Sequence, residues 1–181
     1  MIAPRRIRNV ALIGFMGVGK STVGQSVARQ LHFDFVDTDQ LIEELAGLSI
    51  PEIFARHGEP GFRAVERQVI ESLADREQLV IATGGGVGAN PEHLASLKQH
   101  SLVVCLWATP DVIWQRVRHQ QHRPLLQVPN PQERIRELLA QRKPFYCRAD
   151  VLMNSGLRQM RQVVQSVAHQ FRLASRKPPA A

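Results

Sequence analysis

Apolar positions along the chain follow two alternating spacings. Short apolar runs at Asn9–Ile13, His32–Val36, Gln78–Ala82, Leu102–Trp107 and Val151–Asn154 read as strands, because near-continuous apolar content suits a sheet covered on both faces. Between these runs the spacing turns helical. Lys20–Leu31 carries Val23, Val27, Ala28 and Leu31 on one face, and from Phe62 the positions Phe62, Val65, Val69, Ile70 and Leu73 mark another. Further helices are expected at Gln40–Ala46, closed by Gly47; at Ile50–Arg56, stopped near Gly58; at Pro91–Gln99; from Val112 to Val117; at Gln132–Arg142, ending before Pro144; and at Gln159–Ala174. His119–Pro131 is polar and proline-punctuated, which predicts a mobile segment, and Arg176–Ala181 reads as a frayed tail. Strands separated by helices predict an α/β fold, with helices on both faces of a parallel, five-stranded sheet. The chain has 181 residues without an internal repeat or a linker, so one domain is expected.

Composition narrows the class. The chain is 44% hydrophobic and 22% charged, enough to bury a core without a disulfide or a structural metal. Its two cysteines, Cys105 in an apolar run and Cys147, make no metal-type pair. The basic N-terminus leads into an apolar stretch, but Gly14, Gly17, Gly19 and Lys20 interrupt it and no small-residue cleavage site follows. A cytoplasmic protein without a membrane partner is therefore expected. The formal charge of +7 admits either nucleic acid or small anionic substrates. The arginines clustered in Gln115–Arg123 and Glu133–Arg148 read as lacking the aromatic interleaving of a base-stacking surface, so small anions fit better.

The sharpest local signal is Gly14-Phe-Met-Gly-Val-Gly-Lys20-Ser21, a phosphate loop standing between an expected strand and an expected helix. Its glycines let backbone amides turn inward as an anion nest, and the helix N-terminus adds positive potential. Gly17, Val18, Gly19, Lys20, Ser21 and Thr22 are thus the candidate nucleotide-binding residues. Lys20 would reach the terminal phosphates, and the Ser21 hydroxyl would hold magnesium.

Ligands of open α/β sheets bind beyond the carboxyl ends of the strands, so those ends carry the remaining candidates. Asp37-Thr38-Asp39 follows the second strand, Gly84-Gly85-Gly86 the third, and Ala108-Thr109-Pro110, without an acid at the strand tip, the fourth. Asp37 is then the best metal candidate, reached through water, and Asp39 would face an acceptor hydroxyl; capping of the next helix is the competing role for Asp39. Arg63 and Arg142 supply positive charge, with a helical Arg63–Glu66 pair and helix-dipole complementation as their structural alternatives. Arg116 and Arg123 flank the polar segment, where arginines suit transition-state neutralisation and closure.

Taken in order, Lys20-Ser21-Thr22, Asp37-Thr38-Asp39, Gly61-Phe62-Arg63 with Glu66, Thr83-Gly84-Gly85-Gly86, Arg123-Pro124-Leu125-Leu126 and Arg142-Lys143-Pro144-Phe145-Tyr146 resemble the shikimate kinase family from about Val10 to Ala149. The resemblance implies a three-layer α/β/α P-loop kinase fold and transfer of the ATP γ-phosphate to the 3-hydroxyl of shikimate with magnesium. By similarity, Lys20, Asp39 and Arg123 are catalytic, and Asp39 takes the acceptor proton. Arg63 and Arg142 grip the shikimate carboxylate, and Gly84, Gly85 and Gly86 present amides to the substrate. Arg116 lies near adenine, and Arg158 or Gln159 completes that contact. The same resemblance divides the chain into a core (1–36, 74–114 and 129–175), a substrate-binding subdomain (about 37–73) and a lid (about 115–128), acting as a monomer on ATP and shikimate. Cys147-Arg148-Ala149-Asp150 is one residue shorter than the family pattern, and Asn154-Ser155-Gly156 is not its usual acidic turn. Gluconate-type and nucleoside-monophosphate kinases, and a P-loop switch that binds nucleic acid, are the competing classes.

Overall fold

The computed structural model describes residues 5–119 and 128–176. Five parallel strands, β1 (Asn9–Ile13), β2 (Asp34–Asp37), β3 (Leu79–Ala82), β4 (Ser101–Trp107) and β5 (Val151–Asn154), form one sheet in the order β2-β3-β1-β4-β5. Every residue of β1 and β3 is buried, as is β4 up to Trp107. Successive side chains of a strand point to opposite faces, so complete burial means that both faces are covered. The cover comes from α1 (Lys20–Leu31), α2 (Thr38–Ala46), α3 (Ile50–Ser72), α4 (Pro91–His100), α5 (Pro110–Val117), α6 (Pro131–Tyr146) and α7 (Met160–Ser175). The expected parallel α/β sheet with its five strands is borne out. Among the described residues no helix is long and apolar enough to cross a membrane.

The order of the strands places the site. β1 is central, between β3 and β4, so the loops leaving β1, β2 and β3 open side by side at one edge. A second apolar cluster, Ile42, Ile53, Phe62 and Val69, holds α2 and α3 together apart from the main core.

Several element boundaries differ from expectation, most by one or two residues. The second strand starts at Asp34 rather than His32, because His32 takes a left-handed conformation (φ 57°) and closes α1. The helix after it starts at Thr38 rather than Gln40, with Asp37 as its N-cap. The expected stop at Gly58 is borne out: φ 64° and ψ −171° at that residue are non-helical, so α3 is two helices meeting at a kink there. α6 runs through Pro144 to Tyr146, with the Cys147 amide donating to the Lys143 carbonyl at 3.0 Å. Proline removes one amide and strains the preceding turn, but so near the C-terminus the loss is small against what the last turn does for the site, described next.

Candidate active site

The phosphate loop wraps the carboxyl end of β1. Gly14 has φ 135°, and a Cβ there would run into the Leu106 carbonyl of the neighbouring strand; only glycine lets the chain leave the sheet on this path. Lys20 folds back over the loop and donates to the carbonyls of Gly14 and Phe15, both at 2.9 Å. Ser21 Oγ donates to Asp37 Oδ2 at 2.8 Å. That pair joins the start of α1 to the end of β2, and a hydroxyl beside a carboxylate is a donor set that suits a hard cation. Among the described residues no group of three His, Cys, Asp or Glu could hold a metal alone.

Asp37 also settles the competition over helix capping. Its Oδ1 accepts from the Asp39 amide at 3.1 Å, so Asp37 caps α2. The Asp39 carboxylate, one residue inside the helix, is left for another task. Burial pushes its pKa up to about 6, with the Asp37 carboxylate adding to the rise and Lys20 opposing it. Thr38 is buried between the two acids, and its Oγ1 accepts from the Gly84 amide at 2.9 Å. This bond draws the glycine turn so close to α2 that a Cβ on Gly84 would stand 2.5 Å from Asp39 Oδ1.

The last turn of α6 holds the next glycine. Arg142 Nη1 and Tyr146 Oη, four residues apart on one helical face, donate to the same Gly85 carbonyl at 2.9 and 3.0 Å. Had α6 ended before Pro144, Tyr146 would not lie above Arg142. The Arg142 guanidinium also sits 5.3 Å from the Phe15 ring centre, a cation–π distance. Arg63 enters from α3. Its Nη1 donates to Glu66 at 2.7 Å, and its Nη2 and Nε donate to Glu59 at 3.1 and 3.3 Å. The expected helical pair with Glu66 is therefore present, while Arg142 points at Gly85 rather than at the carbonyls ending its own helix.

These elements enclose two adjoining hollows. One, of about 490 Å³, runs along the phosphate loop and is lined by Gly17 through Thr22, Asp37, Asp39, Gly84, Gly85, Arg116, Ser155 and Arg158 among others. The other, of about 550 Å³, has Arg63, Arg142 and Gly86 in its wall. The glycine turn is the partition between them. Arg116 binds the Gly17 carbonyl at 3.2 Å and the Ser155 carbonyl at 2.9 Å. Gln159, the alternative to Arg158 for the far end of the first hollow, is instead the N-cap of α7. Arg123 and most of the expected lid lie outside the described residues.

Three residues at the site carried no assigned role in the sequence reading. Thr38 was visible only as the residue between two acids. Tyr146 lies in the quoted Arg142–Tyr146 motif, but its target is set by the continued helix. Ser155 is buried, and its Oγ donates to the Val18 carbonyl at 2.8 Å, tying the β5–α7 turn to the phosphate loop; no local pattern announces it.

With this geometry in place, relatives can be compared. The shikimate kinase family profile matches residues 16–172. A shikimate kinase of Caldanaerobacter subterraneus subsp. tengcongensis is 42% identical over 165 residues, 91% of this chain and 96% of that one. One of Synechococcus sp. is 47% identical over 157 residues, 83% of this chain and 82% of the other. The chain belongs to the shikimate kinase family. A solved shikimate kinase from Acinetobacter baumannii in complex with shikimate superposes with a TM-score of 0.87 at 37% identity, covering 94% of this chain and 96% of that one. A gluconokinase from Sinorhizobium meliloti shares the fold at a TM-score of 0.61 and 18% identity. The P-loop kinase fold and the ATP-dependent shikimate kinase activity implied by the motif series are thus borne out.

Proposed function

We propose that the two hollows divide the reaction between them: the phosphate-loop cleft takes ATP, the arginine-walled hollow takes the carboxylate end of shikimate, and Asp39 stands where they meet. The γ-phosphoryl group passes to the 3-hydroxyl, and Asp39 accepts that hydroxyl's proton. The single observation that carries this reading is the Asp39 carboxylate, uncapped, half-buried and 2.5 Å from where a Gly84 side chain would begin. A raised pKa near 6 leaves it ionised at neutral pH and more basic than an exposed carboxylate.

Phosphoryl transfer depends on alignment and charge neutralisation more than on covalent help. The loop amides of Gly17 to Thr22 hold the phosphates, with Lys20 moving from the loop carbonyls to the terminal phosphates. Ser21 and Asp37 would hold magnesium, which would supply charge neutralisation at the phosphates. Arg116 and Arg158 flank the nucleotide, and Arg123 closes from the lid of about 115–128. On the acceptor side, Arg63 and Arg142 fork onto the carboxylate, a bidentate geometry that planar guanidiniums favour, and Gly84, Gly85 and Gly86 supply backbone contacts. The α2–α3 unit with its own apolar cluster is the substrate-binding subdomain of about 37–73. The protein acts as a monomer in the cytoplasm.

The test is ADP release from magnesium-ATP by the purified chain with shikimate, gluconate or AMP. Turnover with shikimate alone is expected. Turnover with gluconate or AMP, or none with any acceptor despite ATP binding, would overturn the assignment of the second hollow.

A further inference from the structure

His93 lies on α4, and its side chain is almost entirely buried against α3. Its Nδ1 has no hydrogen-bond partner. That atom faces Glu66 Oε2 at 3.6 Å, the same oxygen that accepts from Arg63 Nη1 at 2.7 Å. Glu66 is itself buried, only 1% exposed. A permanent cation and an imidazole able to take a proton thus converge on one oxygen of a buried carboxylate. Burial holds the His93 pKa below its ordinary value, with Glu66 opposing the shift, so the free protein carries the imidazole neutral at pH 7. The charged groups acting on it are Glu66, Arg63 and Arg67 from α3 and Glu92 from its own helix. Neither β4 nor the 3-10 turn Val87–Ala89, which also pack against α4, brings a charged side chain.

Resting on the reading of Arg63 as a carboxylate-binding residue, we propose that His93 is a positioning residue that takes up a proton when the acceptor's carboxylate docks, so that acceptor binding is linked to protonation behind Arg63. In the free protein the Arg63 guanidinium compensates Glu66 and the exposed Glu59. An arriving carboxylate competes for the same cation and leaves Glu66 less compensated in a buried place, where an unpaired charge is costly. His93 Nδ1 is the adjacent base, and a proton there restores the balance while adding positive charge beside the new anion. Both effects have the same sign. An anion that raises the pKa of His93 must bind more tightly as pH falls toward that pKa, by linkage.

Calorimetric titration of the full chain with shikimate, in buffers of different ionisation enthalpy at one pH near neutrality, counts the protons. Net uptake is expected, with Kd tightening on the order of threefold between about pH 7.5 and about 6.5, inside the tenfold-per-unit limit of one linked proton. His93→Gln should remove most of the uptake and flatten the pH dependence while leaving the ATP affinity unchanged. Asp39 contributes equally to both proteins, so the difference between them belongs to His93. Unchanged uptake in His93→Gln, or no uptake in the native chain, overturns the proposal. If Arg63→Ala binds shikimate normally, the reading of Arg63 falls and the proposal with it; if Arg63→Ala loses binding while His93→Gln keeps the uptake, only the proposal falls. Should His93→Gln not fold, an NMR titration of the native imidazoles decides: one histidine with a depressed pKa must rise on adding shikimate, and an unmoved one refutes the linkage.

Discussion

The two hollows of this site are built from different materials. In the proposed nucleotide hollow the phosphate nest is local: Gly17 to Thr22 are consecutive and run into the start of α1, although Arg116, Ser155 and Arg158 line the same hollow from distant segments. The acceptor side is assembled at a distance. Asp39 comes from α2, Arg63 from α3, the glycine turn from the end of β3, and Arg142 and Tyr146 from α6, with bonds such as Tyr146 to Gly85 spanning 61 positions of sequence. A nest of backbone amides tolerates many side chains and suits a ligand common to many enzymes. A hollow walled by particular side chains, each held by another, is what a single acceptor requires. The difference teaches that catalytic competence and acceptor choice can be damaged separately in this protein.

The largest break should come from the local side. Lys20→Ala removes the cation proposed to reach the transferred group and is expected to lower kcat by about 10³-fold or more, read from steady-state ADP release; near-normal kcat would remove Lys20 from the chemistry. Gly84→Ala tests the partition itself. The new Cβ must displace the Asp39 carboxylate from 2.5 Å away, and a misplacement of that size should cost about 10²-fold in kcat with ATP binding intact. Equal losses in ATP affinity would show that the two hollows are not separable at this turn.

Smaller effects sharpen the contrast. As the proposed base Asp39 must be ionised to accept a proton, and burial pushes its pKa up to about 6, so kcat should be constant above that value and fall roughly tenfold per pH unit below it. A pH–rate profile checks this, and a limb near pH 4 would indicate that Asp39 is solvated when the substrates are bound. Arg142→Lys replaces a fork by a point charge and should raise KM for shikimate about tenfold while leaving KM for ATP nearly unchanged. Tyr146→Phe removes one of two donors to the Gly85 carbonyl. Since Arg142 keeps the other, a loss of about 1 kcal/mol, a few-fold in shikimate KM, is expected.

Legibility in the sequence followed the same division. Lys20–Leu31 was readable to the residue because the loop glycines mark its start and the spacing of Val23, Val27 and Ala28 marks its buried face. Asp39 was ambiguous until the first turn of α2 could be seen. Asp37 is the cap, and only the φ and ψ of that residue decide which of two neighbouring acids is free. The end of α6 was misjudged because the rule for proline is local, whereas two bonds to Gly85 fix the last turn from outside the helix. Ser155 and His93 gave no signal, since their importance lies wholly in what they face.

The amino-acid sequence by itself determined the strand–helix alternation, the phosphate loop and the ordered motifs of the shikimate kinase family, because periodicity and a contiguous anion nest are properties of neighbouring residues. Tertiary structure alone decided which carboxylate stands uncapped beside the glycine turn, that Arg142 and Tyr146 share one carbonyl, and that a buried imidazole backs Arg63 through Glu66. Apart from the local Asp37 cap, those are contacts between separate elements, and packing of distant segments sets where each charge is desolvated and which partner it meets.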